Sequence, residues 1–398
     1  MEKKVNRWLV LASAIIINLC LGAGYAWSVF QKALLAENTA NGWVIGQTSL
    51  AFSISFAMLP VAMIIFGPIV DKKGPKKVIF LGGILFGLGM FLTGFATTIP
   101  MLYATYGLLL GFGIGTAYGT ATAASVKWFP DKKGLAGGLT VGGFGSGAII
   151  LAPVATNMIS KFGIYTTFKI LGITLFILII GAAFFMEKPP APTPAVTVTT
   201  ETIDKNFKQM LKETNFWILW VVYITATVSG MMIIGHAANI ANKYQILTPA
   251  VVVMIVGLSN TFGRIFWGAV SDKIGRYNAV IAMFILSIVG LSALTFISNL
   301  GAIIGLLGIA FIALSFGGFL GSFPGITAEN WGVKNAGSNY GWMFTAYGVA
   351  AIAGPSLAAN IKVNTGDYKM AFILSIGMAV VGLICTFAYI KKVKNTNQ

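Results

Sequence analysis

One arginine in this chain sits where an arginine is costly. The stretch from Gly257 to Tyr277 reads GLSNTFGRIFWGAVSDKIGRY, and Arg264 lies inside its apolar, glycine-containing part. Almost every other lysine and arginine falls at the end of an apolar run or in a short loop between runs. On a helix, Arg264 would lie roughly 12 Å deeper than Asp272 at the polar end of the stretch. An arginine at the centre of a bilayer costs at least ~2.5 kcal/mol on insertion scales, so such a residue is a candidate for function. Its planar guanidinium offers two parallel donors that match the two oxygens of a carboxylate. The alternative is that Arg264 snorkels to the nearby surface. On a helix Asn260 at i−4 and Trp267 at i+3 share its face, so Asn260 could hold the guanidinium or a substrate hydroxyl.

Few other groups inside apolar runs carry chemistry. His236, the only histidine, stands in MMIIGHAANIANKY, and no aspartate or glutamate appears at comparable depth. His236 is therefore the embedded group with ordinary titration near neutrality, and the candidate for proton coupling. The alternative is a packed neutral histidine. Cys20 and Cys385 each lie within an apolar run, and nothing suggests a disulfide or a metal pair. Gly113, Gly115 and Gly119, and Gly142, Gly143, Gly145 and Gly147, read as helix-packing glycines. No strand pattern precedes either cluster, so a nucleotide fingerprint is excluded. No cofactor, no metal and no enzymatic activity is implied.

The elements that must position these groups follow from composition. The 398 residues are 57% hydrophobic and 10% charged, with mean hydropathy +0.83. A soluble domain averages about 25% charged residues. Apolar runs of about twenty residues recur along the chain, and twenty residues of helix span roughly the hydrocarbon core. The expected fold is an all-α membrane protein. Spans are expected at 8–31, 44–70, 77–97, 101–128, 134–160, 166–186, 216–240, 249–270, 278–298, 301–324, 338–361 and 368–390. The first run is too long for a signal-peptide core and is expected to remain as a span.

The formal net charge of +16 could point to nucleic acid, but its placement argues otherwise. Lys3, Lys4 and Arg7 precede the first span; Lys72, Lys73, Lys76 and Lys77 follow the second; Lys127, Lys132 and Lys133 follow the fourth. Lys188, Lys205, Lys208 and Lys212 follow the sixth, Lys273 and Arg276 the eighth, Lys334 the tenth, and Lys391, Lys392 and Lys394 end the chain. The intervening loops hold far fewer. Every second loop is basic, which places both termini and the central loop in the cytoplasm of an inner-membrane protein with an even number of spans.

Between Glu187 and Thr214 the chain turns rich in Pro, Thr and charge. It reads as a plain connector, ending in an amphipathic surface helix near Phe207 to Leu211. It divides the chain into an amino-terminal bundle (1–186), a linker (187–215) and a carboxy-terminal bundle (216–398). The halves repeat. GPIVDKKGPKK follows span two and GAVSDKIGRYN follows span eight. Asp71 and Asp272 are 201 residues apart, Pro153 and Pro355 are 202, and Trp128 and Trp331, expected just after spans four and ten, are 203. The chain thus reads as two pseudo-symmetric six-helix bundles, an arrangement that places a substrate near the midplane between halves that rock around it.

The turn G-x-x-x-D-K-x-G occurs twice, from Gly67 to Gly74 and from Gly268 to Gly275. Its aspartate can face the positive end of a neighbouring helix, and its glycines permit tight turns and close approach. Asp71, Gly74, Asp272, Gly275 and Arg276 are the candidate conformational gate. Twice, at matching places, this turn resembles the signature loop of the major facilitator superfamily, whose fold would cover the entire chain. GAGYAWSVF (22–30), KWFPDKKGLAGGL (127–139), NFWILW (215–220), FGRIFWGAVSDKIGRY (262–277) and NYGWMFTAYG (339–348) resemble, more narrowly, the oxalate–formate antiporter family with its monocarboxylate transporters.

That resemblance implies a role for several residues. Arg264 matches the arginine with which this family, and the similar animal-type monocarboxylate transporters, bind a carboxylate. The animal-type transporters have an aspartate in the place of Asn260, so their proton relay does not carry over. Tyr25 and Tyr118 lie in spans that face the central cavity of superfamily members, where hydroxyls bond substrate and rings close the pocket; the alternative is a tyrosine anchored between helices. The oxalate exchangers carry a lysine in span eleven, and Tyr347 stands there instead. One buried cation in place of two favours one carboxylate, because a second would lie uncompensated in low dielectric.

The expected function is a secondary transporter of small monocarboxylates, L-lactate first, then pyruvate, glycolate or formate, with proton symport ahead of exchange. An oxalate–formate type exchanger, a non-transporting carboxylate receptor and a drug exporter are the rivals. The receptor would need an added signalling domain. The exporter would need an embedded acid for cationic substrates. The expected partners are a small organic monoanion, a proton and the lipid bilayer, with a monomeric chain and no nucleic acid.

Overall fold

The computed structural model describes residues 6–188 and 204–396. Glu2, Lys3 and Lys4, and the linker stretch 189–203 with Glu201, lie outside the described residues. Among the described residues all regular structure is helical. In hydrocarbon a backbone must satisfy its own polar groups, and a helix does this within one segment.

Twelve apolar helices run through the described residues. The amino-terminal six are α1 (Arg7–Glu37), α2 (Ile45–Lys73), α3 (Lys76–Thr93), α4 (Ile99–Trp128), α5 (133–162) and α6 (164–183). The other six are α7 (Thr214–Tyr244), α8 (Pro249–Ile274), α9 (Arg276–Thr295), α10 (Ala302–Trp331), α11 (Ala336–Thr365) and α12 (Lys369–Thr396). α5 and α6 are divided only at Gly163, whose backbone (φ 75°, ψ 166°) reverses the chain in one residue. α1 carries a 3₁₀ segment, Gly22–Ala26, between two α-helical parts, and α11 is interrupted at Phe344. Gly74 and Gly275 end α2 and α8 with φ of 86° and 88°, the left-handed region that favours glycine, so the repeated turn needs its last glycine in both halves.

The repeat is visible in packing. A Cβ added to Gly115 of α4 would stand 2.4 Å from the carbonyl oxygen of Leu59 in α2, and one added to Gly317 of α10 would stand 2.0 Å from that of Asn260 in α8. Each half thus brings its fourth helix against its second at an equivalent glycine. Small residues let helix backbones approach in lipid, where packing and not hydrophobic driving force holds helices together.

One of the sequence expectations is corrected. α10 runs to Trp331 and not to 324, because Pro324 is accommodated inside the helix. Trp331 is accordingly the last residue of α10, as Trp128 is of α4, and Lys127 lies in the last turn of α4. The described ends of the linker are held against the helices. Trp128 donates its indole N–H to the Glu187 carbonyl (2.9 Å), and Trp331 donates to the Glu213 carboxylate (2.9 Å). The Lys205 N–H donates to the Trp331 carbonyl (3.0 Å), and the Asn339 amide donates to the Lys205 carbonyl (2.9 Å). A single helical turn, Phe207–Met210, is capped by Asn206, and Phe207 stacks on Trp342 at 5.9 Å. The two matching tryptophans therefore pin the two described ends of the linker to the bundle.

Candidate functional site

Odd-numbered helices begin, and even-numbered helices end, at one end of the bundle, where the basic turns lie. From this basic end Arg264 is ten residues into α8, and it is fifteen from the other end. That places its backbone roughly 15 Å and roughly 22 Å from the two ends. Its side chain is 1% exposed and turns into the protein, so it does not snorkel.

The guanidinium is held on three sides. Nε donates to Asn260 Oδ1 (3.1 Å), one terminal nitrogen donates to the Val141 carbonyl of α5, and the other donates to the Tyr25 hydroxyl of α1 (3.4 Å). The rings of Phe144 and Tyr25 lie 5.8 and 6.0 Å from its central carbon, within cation–π range. Among the described residues no carboxylate lies within ion-pair distance of Arg264. Three of its five N–H donors have partners, which leaves two for a ligand.

The aromatic residues form a closed wall. The Tyr25 and Tyr347 hydroxyls are 3.4 Å apart. Tyr25 stacks on Phe56 at 5.2 Å, and Tyr347 stacks on Phe344 at 4.5 Å. Tyr118 lies between Phe144 (5.2 Å) and Phe344 (5.7 Å). A second layer is made by Tyr223 of α7, stacked on Phe323 at 3.8 Å, with its hydroxyl 3.3 Å from that of Tyr340 in α11. Tyr25, Tyr118 and Tyr347 are all buried, so both halves contribute aromatic walls to one enclosure, here called the chamber, around a guanidinium with no carboxylate partner among the described residues. Charge taken out of water and left uncompensated is expensive, so a bound anion would stabilise this arrangement.

The structure brings together Arg264, Asn260, Tyr25 and Tyr347, with Tyr118 on the same aromatic wall. It does not bring His236 to them. His236 stands eight residues from the far end of α7, with Nε2 at 3.0 Å from the Pro355 carbonyl and Nδ1 at 3.4 Å from the Tyr368 hydroxyl. It bridges α7, α11 and the start of α12. Trp267 shares the Arg264 helix but packs its ring against Gly318 of α10. Phe144, the Val141 carbonyl, Tyr223 and Tyr340 are the residues that sequence reasoning passed over. Tyrosines and phenylalanines in apolar spans were the available signal, and a backbone carbonyl gives none.

At the basic end Asp71 crosses between the halves. It accepts from Lys127 Nζ (2.7 Å) and from the backbone N–H groups of Gly337 (3.4 Å) and Ser338 (3.1 Å) in the first turn of α11. No side chain of its own helix caps α11, so Asp71 supplies that cap and faces the positive helix end. Asp272 lies against the first turn of α5, where a Cβ on Gly134 would stand 2.5 Å from Oδ2. It pairs with Arg276 (3.1 Å), which also donates to Glu329 (2.9 Å) and Ser271 (2.8 Å).

Comparison with known proteins accords with this architecture. The model of the Major Facilitator Superfamily matches residues 11–355. An uncharacterized MFS-type transporter of Escherichia coli (strain K12), YhjX, is 31% identical over 352 residues, covering 87% of this chain and 86% of the relative. The oxalate:formate antiporter of Oxalobacter formigenes is 31% identical over 377 residues, covering 93% and 88%. Monocarboxylate transporter 12 of Homo sapiens is 24% identical over 436 residues, covering 98% and 82%. The chain belongs to the major facilitator superfamily, as a multi-pass membrane transporter.

Proposed function

We propose that this transporter moves small monocarboxylates by alternating access, with L-lactate first and pyruvate, glycolate or formate also accepted. One observation carries the reading: Arg264, enclosed by aromatic rings, has two free donors and no carboxylate partner among the described residues. A monoanion would bring the chamber near neutrality. Tyr347, whose hydroxyl lies beside that of Tyr25, adds no second cation, which weighs against a dianion. The relatives named for monocarboxylate transport and for oxalate:formate antiport both support a small carboxylate as the class of substrate.

In this reading residues 1–186 and 216–398 rock about the site, the basic end is cytoplasmic, and the chain works as a monomer in the inner membrane. Asp71 and Asp272, with Gly74, Gly275 and Arg276, hold the cytoplasmic side shut. Proton symport is favoured over exchange. His236 is the candidate carrier, acting from its seat on α7, α11 and α12; a proton travelling on the substrate carboxylate is the other route. Exchange is the second reading, favoured by the likeness to an antiporter.

Proteoliposomes loaded with purified protein test this directly. Uptake of labelled lactate that rises with an inward proton gradient, and resists oxalate in excess, is the expected result. Oxalate taken up as well as lactate would overturn the one-cation argument. Uptake that needs internal anion and ignores the gradient would replace symport with exchange.

A further inference from the structure

We infer that Asn18 of α1 is a further substrate-contacting residue, taking the oxygen on carbon 2 of a 2-hydroxy or 2-oxo monocarboxylate held by Arg264. This rests on the reading of the Arg264 chamber as a monocarboxylate site.

The first observation is a missing partner. Asn18 is fully buried, and neither its side-chain oxygen nor its nitrogen has a hydrogen-bond partner. Buried polar groups are almost always paired, so an unpaired carboxamide needs an explanation. A hydrogen bond to a substrate atom is such an explanation.

The second observation is depth. α5 serves as a ruler between α1 and α8. A Cβ on Gly143 would stand 2.7 Å from the Ile15 carbonyl, and one on Gly147 would stand 2.5 Å from the Leu19 carbonyl. Between them, a Cβ on Gly145 would stand 3.5 Å from Arg264 Nε. Asn18 lies between Ile15 and Leu19, so it is level with the guanidinium to within about one helical turn, ~5 Å.

The third is direction. From Asn18 to Tyr25 the chain takes four α-helical steps and three 3₁₀ steps. At about 100° and about 120° per step the two side chains point within roughly 40° of each other. Tyr25 reaches the guanidinium. The exposed face of this part of α1, marked by Ile16, is on the opposite side.

The fourth is elimination. A substrate hydroxyl or keto oxygen needs a partner once the carboxylate is on Arg264. Asn260 has its oxygen committed to Arg264, and Tyr25 and Tyr347 bond each other. Thr261 also lacks a partner and stands, like Arg264 Nε, at Gly145 of α5, but it offers a single hydroxyl oxygen. Asn18 alone among these has an acceptor oxygen and a donor nitrogen both without partners, so one carboxamide can meet the hydroxyl of lactate or the keto oxygen of pyruvate.

The test compares lactate, pyruvate and propionate, which share the carboxylate and differ at carbon 2. Each competes against labelled lactate in proteoliposomes, and each is scored for thermal protection of the purified protein. In wild type, lactate and pyruvate should bind about tenfold tighter than propionate. In Asn18→Leu, which keeps volume and removes both polar atoms, that preference should vanish while propionate affinity stays within about twofold. An unchanged preference in a folded Asn18→Leu overturns the inference. If Asn18→Leu does not fold, equal wild-type affinity for lactate and propionate overturns it without a variant, and Asn18→Ser, which keeps one donor, should retain part of the preference. If no carboxylate binds or protects wild type, the monocarboxylate reading itself fails and takes the inference with it.

Discussion

Met63 and Arg264 stand at the same place in the two halves. Each is eight residues before the aspartate of a repeated turn, one on α2 and one on α8. Leu59 and Asn260 match in the same way, and both lie at the glycine contact that joins their helix to the fourth helix of the half. The scaffold was duplicated, but the polar pair exists once. Met63 packs on Gly119 and Gly341, and Arg264 reaches the chamber. In the proposed reading, an asymmetric anion site on a symmetric frame would let the halves rock alike while the charge stays fixed to one of them.

The two repeated turns show the reverse bias. Asp71 belongs to the half without the cation, and its side chain is only 9% exposed. It ties its own half, through Lys127, to the first turn of α11 in the other. Asp272 is 45% exposed, and its ion pair with Arg276 stays within its own half. Exposed pairs contribute little, and charge-assisted bonds to buried partners contribute about 1.5–3 kcal/mol. In the proposed reading, the seal at the basic end would therefore rest on the amino-terminal turn more than on the carboxy-terminal one.

The largest expected effect breaks the first asymmetry. Arg264→Lys keeps the charge but loses the fork, and should lower lactate affinity by at least about a hundredfold, counting two charge-assisted bonds. Met63→Leu at the matching place should leave affinity unchanged. Isothermal titration or competition in proteoliposomes reads both. Full affinity in Arg264→Ala would mean that the site lies elsewhere.

The second effect concerns the gates. Asp71→Asn should slow turnover about tenfold or more and expose cysteines placed in the chamber to reagents from the basic end. Asp272→Asn should slow it only a few-fold. Neither should change substrate preference. Equal effects of the two would remove the claimed bias, and a changed preference at unchanged turnover would place the aspartates in the site.

How much of this was legible beforehand depends on what kind of information each feature needs. Hydropathy alone marks twelve spans, because a bilayer demands about twenty apolar residues whatever the neighbours are. Matching landmarks about two hundred residues apart show the duplication. Arg264 declares itself by being charged in an apolar run. Its partners do not. The Val141 carbonyl has no side-chain signature, and Phe144, Tyr223 and Tyr340 look like ordinary span aromatics until the helices are assembled. The bias between Asp71 and Asp272 was equally hidden, since the two turns read almost alike and differ in what the opposite half presents. α10 outran its expected end because Pro324, which would stop a soluble helix, sits within this one.

A third, smaller effect sharpens the gate comparison without touching charge. Gly67 and Gly268 open the two turns. A Cβ on Gly67 would stand 2.8 Å from the Gly337 backbone, tighter than real contacts allow, and one on Gly268 would stand 3.5 Å from the Gly134 carbonyl, an ordinary contact. Gly67→Ala should therefore push α2 from α11 and raise accessibility from the basic end several-fold, and Gly268→Ala should be near neutral. Overpacking costs typically about 1–3 kcal/mol, enough to shift a closed equilibrium visibly. Equal behaviour of the two alanines, in the same accessibility assay, would show that the halves seal alike.

A last effect adds a second cation where the asymmetry leaves one. Tyr347 stacks on Phe344 and meets Tyr25, which meets Arg264, so a lysine there would reach the same chamber from α11. With Arg264 alone, a dianion leaves one charge uncompensated, and taking that charge out of water costs several kcal/mol in a relaxed protein. The new ammonium would offset part of that cost for oxalate. It would also repel Arg264 in the empty chamber, so Tyr347→Lys should melt earlier than wild type and regain stability with oxalate more than with lactate. Because each 1.4 kcal/mol is about a tenfold change in affinity, partial compensation should move the oxalate-to-lactate ratio by about tenfold. Competition of oxalate against labelled lactate near pH 6, beside melting curves with each anion, reads the change. A folded Tyr347→Lys with no gain for oxalate would show that charge at this wall does not reach the substrate, and that selectivity is set by Arg264 and the shape of the chamber alone.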